Sequence, residues 1–327
     1  MNILLYAPKF HGYENDIIDH LKSKGHTVTF FDCVIRPSFK ERIGLKISKK
    51  HMRNKYTEYV RNIIDSIKGE KFDLFVTILG DFYLNHDHIM MFKNALPDTR
   101  FVYYAWDSIS NYPNILGFAD DFDEKLSFDP HDAEKYNFKF LPLFYRNSYE
   151  EADIEYDYSA IMTFHYNKAR GYKRALSAMG KDKVGFNYLY YFDKGRYNFN
   201  KLFHLRAFKN IPKDYFKFST IDKKSVNHVI GASKAVIDIP LARQNGLTIR
   251  VFEIIRQNKK IITSNKDIKQ YNFYSPENIF VLVENNYIPE EFWTTPCKYN
   301  EKDVSMFSLE TFCSQLFGEY KPLKYLK

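Results

Sequence analysis

The pattern that most limits this chain is an alternation of strand and helix signals that runs once, stops, and starts again. Residues 2–6 (NILLY) form a short apolar run and read as a buried strand. A turn-rich loop, residues 7–13 (APKFHGY), leads into Ile17, Ile18 and Leu21 at helical spacing. Gly25 stops that helix, and residues 26–31 (HTVTFF) give a second strand. Strand signals follow at 73–78, 100–105, 126–128 and 140–143, with a helix over 86–95. Residues 146–157 (RNSYEEADIEYD) are polar and acidic and read as a domain boundary. The alternation then resumes with strands at 159–164, 184–191, 235–239, 260–263 and 279–283. Helices are expected over 171–179, 222–232 and 247–257, and a last amphipathic helix over 304–317. Strands alternating with helices build parallel sheets. Two such runs predict an α/β protein of two Rossmann-like domains facing a cleft. Ligands in such sheets bind outside the carboxyl ends of the strands. The expected division is 1–150, 151–302, and a terminal segment 303–327 whose helix packs back toward the N-terminal domain.

A length of 327 residues agrees with about two domains. The 30 Phe and 26 Tyr supply far more buriable surface than a disordered chain carries. No run of 18 apolar residues is present, so no transmembrane helix is expected. The first residues lack a cleavage signal, and the three cysteines are odd in number and far apart. A reducing cytoplasm is the expected location, without disulfides or a zinc site. The formal charge of +8 is uneven: residues 36–61 hold nine Lys/Arg against Glu41 and Glu58. Such a patch attracts phosphate, although a solvated helix face has the same composition.

No GxGxxG follows the first strand and no GxxxxGK[ST] occurs, so dinucleotide and P-loop readings fall away. The informative stretch is 235–265, AVIDIPLARQNGLTIRVFEIIRQNKKIITSN. Gly246 and Thr248 sit where its helix begins, and free N–H groups at a helix start attract anions. Arg250 and Glu253 are three apart and share a face. An Arg there suits a diphosphate, which its fork binds bidentately. A Glu one turn on suits the two hydroxyls of a ribose. Together they point to a nucleotide. Spacing alone equally allows an ion pair on a surface helix.

The run GLTIRVFEIIRQNKKIITSN resembles the donor-binding segment of group 1-like glycosyltransferases of the GT-B fold. It is most similar to the CgeB-like branch and related lipopolysaccharide and capsule synthesis proteins. The shared positions are Thr248, Arg250, Phe252, Glu253, Lys260, Ile262, Thr263 and Asn265. Asn258 replaces the Gly that commonly ends this helix, and Asn tolerates the same left-handed cap. FVYYAWDSISNYPN, FDEKLSFDPHDAEKY and FKFLPLFY extend the resemblance into the first half. The resemblance implies a nucleotide-sugar donor on the C-terminal domain and a saccharide or lipid-linked acceptor on the N-terminal one. Arg250 would hold the diphosphate and Glu253 the ribose. His165, Lys168 and Arg170, in the loop 163–173, are further candidates for phosphate or sugar. A cation near the leaving diphosphate stabilises its charge without a metal. No cofactor is expected beyond the donor itself.

In the first half, Asp107 follows a strand end and is a candidate general base; it can also cap the next turn. His11, beside Gly12 in the first loop, is the second candidate. Trp106, Tyr103 and Tyr104 are either sugar-stacking rings or core aromatics. Asp121-Phe122-Asp123 matches the metal signature of the GT-A class, but the doubled α/β pattern contradicts that class. His86-Asp87-His88 has ligand-type residues whose helical spacing makes them diverge. The basic segment carries Lys46, Lys49 and Lys50 among apolar residues and can lie on an anionic membrane, as a lipid-linked acceptor would require. That expectation places the protein at the inner face of the plasma membrane, bound peripherally. A nucleic-acid role lacks a reading motif. Two alternatives remain: a nucleotide-sugar epimerase of the same fold, and a non-catalytic nucleotide- or sugar-binding protein.

Overall fold

A computed structural model of the chain describes residues 1–35, 49–79, 83–146, 152–180, 182–283 and 287–327, without the side chains of 49 and 50. The chain forms two compact units. The first is Met1–Pro142 with Leu309–Pro322; the second is Leu143–Ser308 with Leu323–Lys327.

The first unit contains β1 (Asn2–Ala7), α1 (Tyr13–Ser23), β2 (Thr27–Asp32), α2 (Lys49–Ser66), β3 (Leu74–Ile78), α3 (His86–Ala95), β4 (Arg100–Ala105), β5 (Glu124–Ser127), α4 (Pro130–Tyr136) and β6 (Lys139–Phe140). All neighbouring strands are parallel, in the order β2-β1-β3-β4-β5-β6. β3 is buried along its whole length, which is why LFVTI reads as a continuous run rather than an alternating one. Helices begin at side-chain caps: Asn85 accepts from His88 N at α3, and Asp129 accepts from His131 N at α4. The strand order changes direction between β1 and β3, and the loops at that point form a natural ligand crevice.

The second unit contains β7 (Tyr156–Thr163), α5 (Ala169–Met179), β8 (Gly185–Tyr190), α6 (Lys194–Phe203), α7 (Leu205–Phe208), β9 (Phe216–Lys217), α8 (Lys223–Gly231), β10 (Ser233–Asp238), α9 (Ile249–Arg256), β11 (Lys260–Thr263), β12 (Ile279–Val281), α10 (Glu290–Thr294) and α11 (Glu301–Ser305). Its parallel order is β12-β11-β10-β7-β8-β9, the doubly wound Rossmann arrangement with the switch between β7 and β10. Asn258 ends α9 at φ 51°, the left-handed conformation that Asn tolerates.

Two glycines set close contacts here. A Cβ at Gly171 would lie 2.8 Å from Ile239 Cγ2, so its absence lets the start of α5 approach the end of β10. Gly185 faces Tyr158 across the β7–β8 ladder, and a Cβ there would meet the ring carbon Cζ. Gly185→Ala therefore displaces Tyr158 and disturbs its bond from Asn187 Nδ2. The expected loss is about 1–3 kcal/mol, typical of overpacking, read by chemical denaturation.

The terminal helix expected over 304–317 is two helices, α11 and α12 (Leu309–Phe317). The apolar positions are too dense for one face and are divided between two cores. Phe307 packs at 4.8 Å against Phe252 of the second unit. Phe312 packs at 5.2 Å against Tyr104 of the first. Between them the backbone leaves the helix, and Phe307 O accepts from Tyr145 N at 2.9 Å. Beyond the break α12 lies along α1, where Lys24 and Glu310 pair at 2.6 Å.

Candidate functional site

In the second unit, the carboxyl ends of β7 and β10 collect the polar side chains. β10 ends on Asp238, which is buried and accepts from Thr248 Oγ1 at 2.7 Å. Burial pushes the Asp238 carboxyl up from its ordinary range, while Thr248, Lys168 and Arg250 oppose the rise. Lys168 follows β7, and burial lowers its ammonium pKa against the pull of Asp238. Lys168 and Asp238 thus interact electrostatically at the switch point, with the carboxyl buried. Thr248 directs its hydroxyl to Asp238 and not onto the first turn of α9.

Arg250 and Glu253 form an ion pair at 2.7 Å. The i,i+3 pair that spacing allowed is therefore made, but on a largely buried face: the Glu253 side chain is 7% exposed and that of Arg250 21%. Gly246 is buried and its carbonyl accepts from Gln244 Nε2 at 3.1 Å. Asn265 pins the loop before α9 by donating Nδ2 to Asn245 O at 2.8 Å. His165 accepts from Asn167 N at 3.3 Å. Burial lowers its pKa, and Lys168, His204 and Arg196 lower it further. Arg170 is placed differently. It lines a groove of about 850 Å³ along α5, with Lys173, Arg174 and Arg206.

In the first unit, a hollow of about 290 Å³ opens at the ends of β1, β3 and β4. Phe10, Tyr13, Trp106 and Tyr112 wall it, and Asp107 is its acid, with Glu14 beside the β1 loop. Burial pushes Asp107 up to about 6. A carboxylate of that basicity can accept a proton from a bound hydroxyl near neutral pH. Glu14 Oε2 accepts from Phe10 N at 3.0 Å and so holds the loop. His11 stands in that loop at φ 51°, exposed, with its ring 4.5 Å from Phe10, and does not line the hollow. Tyr103 and Tyr104 are core residues whose hydroxyls donate to Leu79 O and Leu141 O.

The two metal-like motifs have structural partners. His86 Nδ1 lies 2.8 Å from Asp121 Oδ1, and Asp123 accepts from Phe101 N at 2.7 Å. His88 is buried with Nε2 2.8 Å from Thr57 Oγ1. Lys46 lies outside the described residues, as do the side chains of Lys49 and Lys50. Asp238 was not singled out from sequence, although an acid closing the apolar strand AVID is the available signal. The cationic groove along α5 depends on Arg206, 36 residues from Arg170, and has no local signal.

No protein-family profile matches the chain, and no curated protein matches it by sequence. Solved structures do match it by shape. Sucrose-phosphate synthase from Thermosynechococcus elongatus superposes with a TM-score of 0.67 at 11% identity, covering 97% of each chain. HepE of Anabaena, solved with UDP-glucose, gives 0.62 at 12% identity, covering 97% of this chain and 98% of the other. The catalytic domain of starch synthase IV from Arabidopsis thaliana, bound to ADP and acarbose, gives 0.54 at 10% identity, covering 96% and 95%. The fold is GT-B. At these identities the likeness concerns the fold alone, and function rests on the residues at the strand ends.

Proposed function

We propose that this GT-B chain is a glycosyltransferase that moves a sugar from a nucleotide-sugar donor to a saccharide acceptor without a metal. The observation that carries the reading is the convergence of Lys168, Asp238, Thr248 and the Arg250–Glu253 pair at the switch point of the second unit. Arg250 would hold the diphosphate, Glu253 the ribose, and Lys168 would balance charge on the leaving diphosphate. Opening the Arg250–Glu253 pair to the ligand frees both groups for these bonds. Gly246 and His165 border the same donor site. Asp107 takes the proton of the acceptor hydroxyl in the first unit, and His11 is the alternative base. The solved structure of HepE with UDP-glucose supports a nucleotide-sugar reading. Within that class, the motif around Arg250 favours the group 1-like, CgeB-like branch, hexosyl or related transfer, and a cytoplasmic role in lipopolysaccharide or capsule assembly. A lipid-linked acceptor and peripheral membrane contact follow from that role. No described helix is long and apolar enough to cross a membrane.

A thermal-shift screen against nucleoside diphosphates and nucleotide sugars tests this. One donor should raise stability by about 2.7 kcal/mol at a hundredfold excess over its dissociation constant. A shift followed by turnover of the donor without any acceptor would move the assignment to an epimerase. No shift with any nucleotide would remove the donor site.

A further inference from the structure

α6 presents its apolar residues the wrong way round for a surface helix. It buries a single residue, Tyr197, which packs on Phe208, Phe216 and Phe218. Phe199, Leu202 and Phe203, with Leu205 at the start of α7, are 61–68% exposed. Phe199 and Phe203 pack on each other at 4.6 Å on the outer face. A solvated helix turns its charged side outward and its apolar side in. An outward apolar cluster marks a contact surface.

Its charge says what it contacts. Residues 194–213 hold Lys194, Arg196, Lys201, Arg206, Lys209 and Lys213, with no Asp or Glu among them. Asp193, just before, is committed to capping the helix by accepting from Arg196 N at 2.6 Å. The cationic groove along α5 continues this surface, since Lys173 Nζ donates to Arg206 O at 2.6 Å. Arg170, Lys173, Arg174 and Arg206 all line that groove.

We propose that the α6–α7 face docks on an anionic phospholipid membrane, with Phe199, Leu202, Phe203 and Leu205 entering the interface and the groove cations holding lipid phosphates. Aromatic and aliphatic tips ringed by Lys and Arg are the composition of interfacial helices. A second copy of the chain fits poorly, because a symmetric contact would bring six cations against six. A single-stranded nucleic acid is held by rings that stack on successive bases, whereas these two pack on each other at 4.6 Å. The proposal deepens the membrane part of the reading above and rests on it only for its purpose. Docking is measurable without donor or acceptor.

The test is flotation of the full chain with phosphatidylcholine vesicles, with and without phosphatidylglycerol. The wild type should float only with the anionic vesicles. Phe199→Ser, Leu202→Ser and Phe203→Ser combined should abolish flotation. Lys201→Gln with Arg206→Gln should weaken partitioning about thirtyfold. Both variants should keep the wild-type melting temperature and nucleotide response, so loss of docking is separable from loss of the donor site. Equal flotation of either variant and the wild type would overturn the proposal. So would flotation abolished by Lys46→Glu, Lys49→Glu and Lys50→Glu while the α6–α7 variants still float. A wild type that stays with the neutral fraction also overturns it, as does one that sediments as a dimer or binds oligonucleotides through this face instead.

Discussion

Asp107→Asn is expected to lower turnover by about 10²–10⁴-fold while leaving nucleotide binding intact. The carboxyl lies in the hollow of the first unit, and burial is what raises it to about 6. In the wild type the rate should therefore climb with pH through about 6 and level off above it. The variant should lose that limb. The same shift has a stability signature of opposite sense. The folded carboxyl keeps its proton up to about 6, whereas the unfolded one releases it near 3.8. Wild-type stability thus falls as pH rises between these values, because the unfolded state ionises first. Asp107→Asn should gain nothing below that window and about 3 kcal/mol above it. Higher stability and lower activity in one variant is the signature of a buried base. A variant with wild-type turnover would transfer the role to His11.

Arg250→Ala is expected to cost about 3–5 kcal/mol of folding stability, because it removes the guanidinium that is paired with the buried Glu253 carboxylate. Arg250→Ala with Glu253→Gln should recover much of that loss, since Gln carries no charge into the same space. Nucleotide binding should not recover. Calorimetric titration at a temperature where both variants are folded separates the two effects. Glu253→Gln alone should weaken binding by about 1.5–3 kcal/mol through loss of charge-assisted hydrogen bonds. Wild-type affinity in the double variant would place the nucleotide elsewhere.

The central strands were legible because parallel strands buried on both faces leave continuous apolar runs. NILLY and LFVTI could be little else. Part of the polar cluster in the second unit was legible for a different reason: Thr248, Arg250 and Glu253 lie within one strand–loop–helix–strand unit. Long-range features were not. Phe307 and Phe312 belong to different cores, a partition that periodicity along 304–317 does not encode. Residues 192–221 carry no clear helical periodicity, because Phe199, Leu202 and Phe203 of α6 stay outside the core that Tyr197 enters. Arg170 looked like a donor contact by its position in the loop, yet α5 turns it into the groove shared with Arg206.

The chain visits its two units in the sequence first, second, first, second. On a ribosome, the second unit gains nearly all of its residues before the first has received α12. Until then Leu21, Trp106 and the β4–β5 edge lack the cover that Phe312, Phe317 and the carbonyl of Gly318 provide. A message cut short after residue 308 would leave both units open, the first without α12 and the second without Tyr325, whose buried ring packs on Phe307 at 5.5 Å. A truncated product would thus offer proteases two unfinished domains, not one.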